Sequence, residues 1–261
     1  MNTAKTNDLR ILVTNDDGIH APGIEILENI ARTFTDDVWV VAPDQEKSGA
    51  GHSISLTKPI RMRQLDERHF EVSGTPTDCV LMAVSRILQD RRPTYVLSGI
   101  NSGANLAEDV TYSGTIAAAM EGTVMGMRSI ALSQLRAPDR SVDFAPCEMY
   151  GPDLIRSLLA LEHWPGNSFI NINFPHAKTH EINGARLTTQ GQRPPGSFSI
   201  EPRADTREQP YYWIKIKYQE GNRHPETDLQ AIAEKAISVT PINMDFTDMA
   251  WRSELRGLLN L

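Results

Sequence analysis

The 261-residue sequence holds only two cysteines, Cys79 and Cys147, and no CxxC spacing. That excludes a disulfide framework, a thiolate zinc site and a dithiol redox centre, and leads us to expect a reducing, cytoplasmic setting. No apolar run approaches the roughly 20 residues of a membrane span. Met1 to Arg10 is polar and lacks the apolar stretch of a secretory leader, so neither export nor membrane insertion is expected. Positive charge is also short: 26 Lys and Arg stand against 33 Asp and Glu, a net charge of −7. Such a balance gives no whole-surface attraction to phosphate backbones, and long nucleic acid is not an expected partner. Internal repeats and low-complexity tracts are absent too. With 40% hydrophobic and 23% charged residues, the chain reads as a compact soluble protein with enough length for a sizeable core.

Several catalytic signatures are missing. Gly18 to Gly23 has the glycine spacing of a phosphate-binding P-loop, but Ile24-Glu25 stands where Lys and Ser or Thr are needed. Gly49-Ala50-Gly51 lacks the third glycine of a dinucleotide fingerprint, and no GxSxG nucleophile elbow occurs. Adjacent Asp16 and Asp17 do not match phosphatases whose two aspartates are separated by one residue.

What is present is an alternation of short apolar runs with helical periodicity over the first 135 residues, the pattern of βαβ units in a mostly parallel sheet. Strands are expected at Arg10–Thr14, Val38–Ala42, Tyr95–Ser98, Ser129–Ser133 and Phe169–Asn173, and a hairpin at Ser55–Arg63 with Phe70–Ser73. Helices are expected from Pro22 (Ile24, Leu27, Ile30 and Ala31 inward), from Thr75 (Val80, Leu81, Val84, Ile87 and Leu88 inward), over Ser113–Met125 and over Pro152–Leu161. The fold class is therefore α/β, with a core of about residues 9–175 in a single domain spanning 1–261. Beyond about residue 176 the composition turns to Pro, Arg and Gly, and Tyr211 to Tyr218 alternates like a half-exposed antiparallel strand. This is read as an appendage, an arm that packs on another subunit. Met120, Met125 and Met127 read as core filler, and Cys79 as a buried small hydrophobe.

Every long loop follows a strand, and open α/β sheets bind ligands outside the carboxyl ends of their strands. Asn15-Asp16-Asp17-Gly18 follows the first strand. Two adjacent carboxylates suit a hard cation, and equally the cap of the next helix. Lys47 to Ser53 follows the second strand, where Gly49 and Gly51 can free backbone N–H groups for an anion or simply give a flexible loop. Asn101 and Asn105 lie between glycines after the third strand. Ser113-Gly114-Thr115 opens a helix with small residues, which suits phosphate and equally an ordinary Ser cap. Four polar loops gathered at successive strand ends point to a site. His20 and His52 are candidates for a general acid.

The segments NDDGIHAPGI, VVAPDQEKSGAGHSIS, GTPTDCV and SGINSGANLAEDVTYSGTIAAAMEG resemble the SurE family, densely over residues 9–135 and more weakly to Asp228–Ala231 and Ser238–Pro241. The resemblance implies a Rossmann-like three-layer sandwich with a β-hairpin and a C-terminal arm exchanged in a homodimer or homotetramer. It also implies hydrolysis of nucleoside 5'-monophosphates, with 3'-monophosphates and polyphosphate as further substrates. One divalent cation per subunit, Mg²⁺ or Mn²⁺, would be held by Asp16, Asp17, Ser48 and Asn101, with Asp16, Asp17 and Asn101 carrying catalysis. Asn15, Gly49, Gly51, Thr75, Asn105, Ser113, Gly114 and Thr115 would line the substrate. An all-oxygen set of this kind suits Mg²⁺ or Mn²⁺ rather than zinc or copper. The rival reading is a nucleotide-binding regulatory module without turnover. Two departures from the family stand out: Ala107 where glycine is common, and Lys235-Ala236 where Gly-Tyr is usual.

Overall fold

The computed structural model describes residues 9–196, 198–216 and 224–259. In chain order the elements are β1 (Ile11–Thr14), α1 (Pro22–Arg32), β2 (Val38–Pro43), β3 (Met62–Gln64), β4 (His69–Val72), α2 (Pro76–Met82), β5 (Tyr95–Ser102), α3 (Gly114–Val124), β6 (Arg128–Gln134), α4 (Ala145–Leu159), β7 (Ser168–Phe174), β8 (Ala185–Leu187), β9 (Phe198–Ala204), β10 (Pro210–Ile216), α5 (Asp228–Ala233), β11 (Ile237–Asn243) and α6 (Met249–Leu258). Nine strands form one sheet in the order β3-β4-β2-β1-β5-β6-β7-β11-β8, while β9 and β10 pair apart from it.

The apolar runs form strands because both faces of this sheet are covered. Successive side chains of β1 point opposite ways. Ile11 and Val13 pack with Ile24, Leu27 and Ile30 of α1 and Cys147 and Ile155 of α4. Leu12 packs with Cys79 and Val80 of α2 and Ala118 of α3. The result is the expected three-layer α/β sandwich. Each of Ile11, Leu12 and Val13 is fully buried, which stabilises the fold by about 1.5–3 kcal/mol apiece. The chain leaves β1 toward β2 on one side, and β5 pairs on the other. The strand order therefore reverses between β1 and β5, opening a crevice at their carboxyl ends.

Local chemistry explains most boundaries. Pro22 occupies the first turn of α1, and Thr75 caps α2 in a reciprocal box with Asp78. Gly23 lets α1 lie against β5, since a Cβ there would stand 2.0 Å from the Ile100 carbonyl oxygen.

Several expectations need correction. The hairpin is shorter than Ser55–Arg63 implies, because Pro59 keeps the first arm from pairing before Arg61, and β4 also joins β2 in parallel. Strand β5 runs past Ser98 to Ser102, with a register shift against β6 between Ser98 and Asn101. Helix α4 begins at Ala145, not Pro152. Pro152 sits inside it, and the acceptor it leaves idle belongs to Glu148, an exposed residue whose carbonyl is open to solvent-side pairing rather than buried in the core. On α2 and the π turn that follows it, Val80, Val84 and Leu88 are buried but Leu81 and Ile87 only half so.

The sheet also continues past residue 176. β11 pairs antiparallel with β7 and parallel with β8, so this part of the chain belongs to the sheet, while the β9–β10 hairpin pairs apart from it and α6 buries no residue. Residues 217 and 218 of the expected Tyr211–Tyr218 strand lie outside the described residues.

Both family departures fall on left-handed backbone, at φ +52° for Ala107 and +57° for Lys235. Lys235 closes α5: its N–H donates to Ile232 and that of Ala236 to Ala231, the paired bonds of a helix end that glycine suits best. Ala107 is held by its N–H donating to the Asp228 carboxylate at 2.9 Å.

Candidate active site

The crevice gathers the four loops, and backbone hydrogen bonds fasten them to one another. The Lys47 N–H donates to the Asp16 carbonyl at 2.8 Å, joining the loops after β2 and β1. The Ser102 N–H donates to the Asp17 carboxylate at 2.9 Å, joining β5 to β1. The Gly51 N–H donates to the Tyr112 carbonyl at 3.1 Å, joining the loop after β2 to the start of α3.

Asp16 is buried at 4% exposure, with its carboxylate against the first turn of α3. The Thr115 hydroxyl donates to it at 2.5 Å, and a Cβ on Gly114 would lie 2.7 Å from the Asp16 Cβ. Small residues at this helix start are therefore required by the approach of Asp16. Burial pushes the Asp16 carboxyl up to about 6; the Thr115 hydroxyl pulls the other way, and the charge of Asp17 adds to the rise. Asp17 is raised by burial as well, against the Ser102 N–H, with Glu46 adding to the rise and Arg136 opposing it. Among the described residues neither carboxylate belongs to an ion pair.

The donor set fits a hard divalent cation on this observation. Two adjacent carboxylates, one of them buried, have no positive side chain paired with them among the described residues. The neighbouring donors are neutral oxygens. The Asn101 amide nitrogen donates to the Gly103 carbonyl at 2.8 Å, leaving its amide oxygen as an acceptor. The exposed Ser48 hydroxyl donates to Glu46 at 2.7 Å, which leaves its oxygen lone pairs as acceptors. Among the described residues no cluster of three His, Cys, Asp or Glu exists. A cation here would complete its shell with neutral oxygen and water, a pattern that suits Mg²⁺ or Mn²⁺.

The other expected residues divide by what their polar atoms already do. Asn15 is fully buried and spends its carboxamide on Gly18, donating at 2.8 Å and accepting at 3.2 Å, so it shapes the Asp16-Asp17 turn. Gly49 and Gly51 both sit at positive φ, +75° and +54°. The Gly51 amide goes to Tyr112, whereas that of Gly49 has no partner among the described residues. The Thr75 hydroxyl accepts from Asp78 and donates to Ser53, fixing the loop over α2. The Asn105 side chain donates to Ser133 at 2.8 Å and its backbone is held by Asn171 and Asn173. Ser113 accepts from the Ile116 N–H, capping α3. His20 is exposed, while His52 meets Glu121 of α3 at 2.9 Å.

Asp228 was missed as a support of the site. Its carboxylate accepts from the N–H groups of Ala107, Gly191 and Leu229 at 2.9, 2.9 and 2.7 Å. Asp228→Ala leaves these donors unpaired and is expected to cost about 2 kcal/mol, read as a lower denaturation midpoint. An unchanged midpoint would show that water replaces the carboxylate at no cost.

A cavity of about 410 Å³ adjoins Asp17, lined by Glu46, Ser102, Arg136, Phe144 and the start of α1. Arg136 follows β6, so the same strand-end rule that found the other loops would have found it.

Known proteins share this layout. A profile of the family described as Survival protein SurE matches residues 11–196. The 5'-nucleotidase SurE of Methylorubrum extorquens (strain PA1) is 51% identical over 245 residues, covering 92% of this chain and 95% of its own. That of Parvibaculum lavamentivorans is 51% identical over 256 residues, covering 97% and 92%. The crystal structure of the SurE protein from Aquifex aeolicus superposes with a TM-score of 0.80 at 36% identity, over 96% of this chain and 99% of that one. Family motifs, half-identical relatives and a shared fold along nearly the whole length agree, and the chain belongs to the SurE family.

Proposed function

We propose that this protein is a phosphatase of nucleoside 5'-monophosphates, releasing nucleoside and inorganic phosphate. The observation that carries the reading is the Asp16–Asp17 pair, without an ion-pair partner among the described residues, set against the start of α3 at the point where the strand order reverses. The relatives named 5'-nucleotidase SurE give the substrate class.

In this reading Asp16, Asp17, Ser48 and Asn101 hold one Mg²⁺ or Mn²⁺. When bound, such a cation polarises a phosphoryl oxygen and makes a water a stronger nucleophile at neutral pH. Thr115 orients the Asp16 carboxylate. The amides of Gly49 and Gly114 are donors for phosphoryl oxygens, the latter favoured by the positive end of the helix dipole. The test is phosphate release from nucleoside 5'- and 3'-monophosphates and polyphosphate with Mn²⁺, Mg²⁺ or a chelator. Metal-dependent release, fastest on 5'-monophosphates, is expected. Nucleotide binding without release under any metal would overturn the reading.

We further propose that the protein works in the cytoplasm as a homodimer or homotetramer. The two buried, unpaired thiols suit a reducing compartment, and no described helix is long and apolar enough to cross a membrane. The β9–β10 hairpin supports the assembly: two strands alone are marginal in water, yet Ile200, Tyr212, Trp213 and Ile214 are each more than half exposed. Replacing Tyr212, Trp213 and Ile214 together with serine is expected to reduce the mass in light scattering to a smaller assembly. An unchanged mass would place the contact elsewhere.

A further inference from the structure

We propose that Arg136 is a second anion-binding group of this site, gripping the phosphoryl group from the α1–α4 side while the start of α3 holds it from the other. The proposal rests on the phosphatase reading above and names a residue that none of the site motifs contains.

Three observations carry it. First, the guanidinium is anchored at one edge only. Its Nε donates to the Ser102 hydroxyl at 3.1 Å, while Nη1 and Nη2 have no partner among the described residues. Second, the anchor is part of the site, because the Ser102 N–H donates to the Asp17 carboxylate at 2.9 Å. Gly103 separates the guanidinium from the Asn101 carboxamide: at φ +125°, a Cβ there would lie 3.6 Å from the Arg136 Nε and 3.8 Å from the Asn101 Nδ2. Third, Arg136 lines a cavity of about 410 Å³ together with polar Asp17, Glu46 and Ser102 and apolar Pro22, Val142 and Phe144. That volume suits a small-molecule ligand.

The chemistry follows from the charges. An arginine beside Asp17 and Glu46 would ordinarily pair with one of them. Here it does not, so its two-pronged edge is kept for another acceptor. A planar fork of N–H donors matches two oxygens of one phosphoryl group, as a point charge does not. In phosphoryl transfer negative charge is spread over the three equatorial oxygens, and a guanidinium placed beside them acts where that charge lies. The cavity then takes the leaving nucleoside, with Phe144 as an apolar wall.

Arg136→Gln and Arg136→Lys test this, with a nucleoside 5'-monophosphate and p-nitrophenyl phosphate, which has no base or ribose, as substrates. Inhibition by inorganic phosphate and Mn²⁺ binding by calorimetry are the second and third readouts. For Arg136→Gln we expect kcat/KM to fall about 100-fold on both substrates, and the phosphate inhibition constant to rise at least about tenfold. Mn²⁺ affinity should hold or tighten, since a positive neighbour is lost. Arg136→Lys should regain part of the loss, keeping charge without the fork. A loss confined to the nucleotide would make Arg136 a reader of base or ribose and overturn the proposal. So would a loss that tracks weaker Mn²⁺ binding, the mark of a mere prop for Ser102 and Asp17, or kinetics like the parent's. If the parent releases no phosphate from either substrate, the phosphatase reading fails. Calorimetric binding of inorganic phosphate to parent and Arg136→Gln still decides the Arg136 contact: weaker binding to the variant supports it and equal binding overturns it.

Discussion

Asp17→Asn is expected to lower phosphate release by about 1,000-fold at saturating Mn²⁺, with a melting temperature no lower than the parent's. The substitution removes charge and almost nothing else. Asparagine keeps an oxygen to accept the Ser102 N–H that joins β5 to the loop after β1, so the crevice stays assembled. What goes is half of the negative charge facing the crevice from β1, the part a divalent cation would need most. The burial that raises the Asp17 carboxyl no longer opposes folding once the group is neutral. Activity and stability are therefore expected to move apart. Release within tenfold of the parent's would remove Asp17 from the metal set and with it the mechanism above; loss of activity together with a collapsed melting transition would instead mark Asp17 as structural.

The carboxylate pair was legible in the sequence because its position is local: Asp16 and Asp17 directly follow a buried apolar run, and Ser113-Gly114-Thr115 directly opens a helix. The parallel core was legible for the same reason, through runs such as Ile11–Val13 that only a sheet covered on both faces can bury. The misread boundaries were places where a local signal was overridden. Pro152 reads as a helix start, yet α4 passes through it on a solvent-exposed side. Gly99 reads as the end of a strand, yet β5 continues to Ser102 and brings Asn101 and Ser102 to the site. β8 has no buried apolar residue to announce it, and joins the sheet through backbone pairing with β11. The pairings that complete the site were not legible, although the strand-end rule places Arg136 itself at this edge. Asp228 meets Ala107 across 121 residues of sequence, and Arg136 meets Ser102 across 34. Side-chain pairings between distant loops leave no periodicity behind.

The buried charge of Asp16 has a second measurable consequence, in stability rather than turnover. In the unfolded chain this carboxyl titrates near 3.8, in the folded metal-free protein at about 6. Below both values the group is protonated in both states and its stability contribution does not change with pH. Between them the folded state holds a proton that the unfolded state has released, so stability falls as pH rises, and above about 6 the penalty is constant at about 3 kcal/mol. Asp16→Asn keeps an acceptor for the Thr115 hydroxyl and never charges. In the absence of metal it should therefore exceed the parent by about 3 kcal/mol at pH 7.5, roughly 6–10 °C in melting temperature, with the gap closing toward pH 4. Mn²⁺ should raise the parent's melting temperature at pH 7.5, less at pH 5 where protons compete for the same oxygens, and Asp16→Asn far less at either pH. Melting curves of both proteins at these pH values, with Mn²⁺ and with chelator, check the whole set. A metal-free parent as stable as Asp16→Asn at pH 7.5 would mean that a positive group of the protein already balances the charge. The argument for a cation at this site would then lose its physical basis, because an Asp16 already paired within the fold leaves no unbalanced carboxylate for a metal to meet.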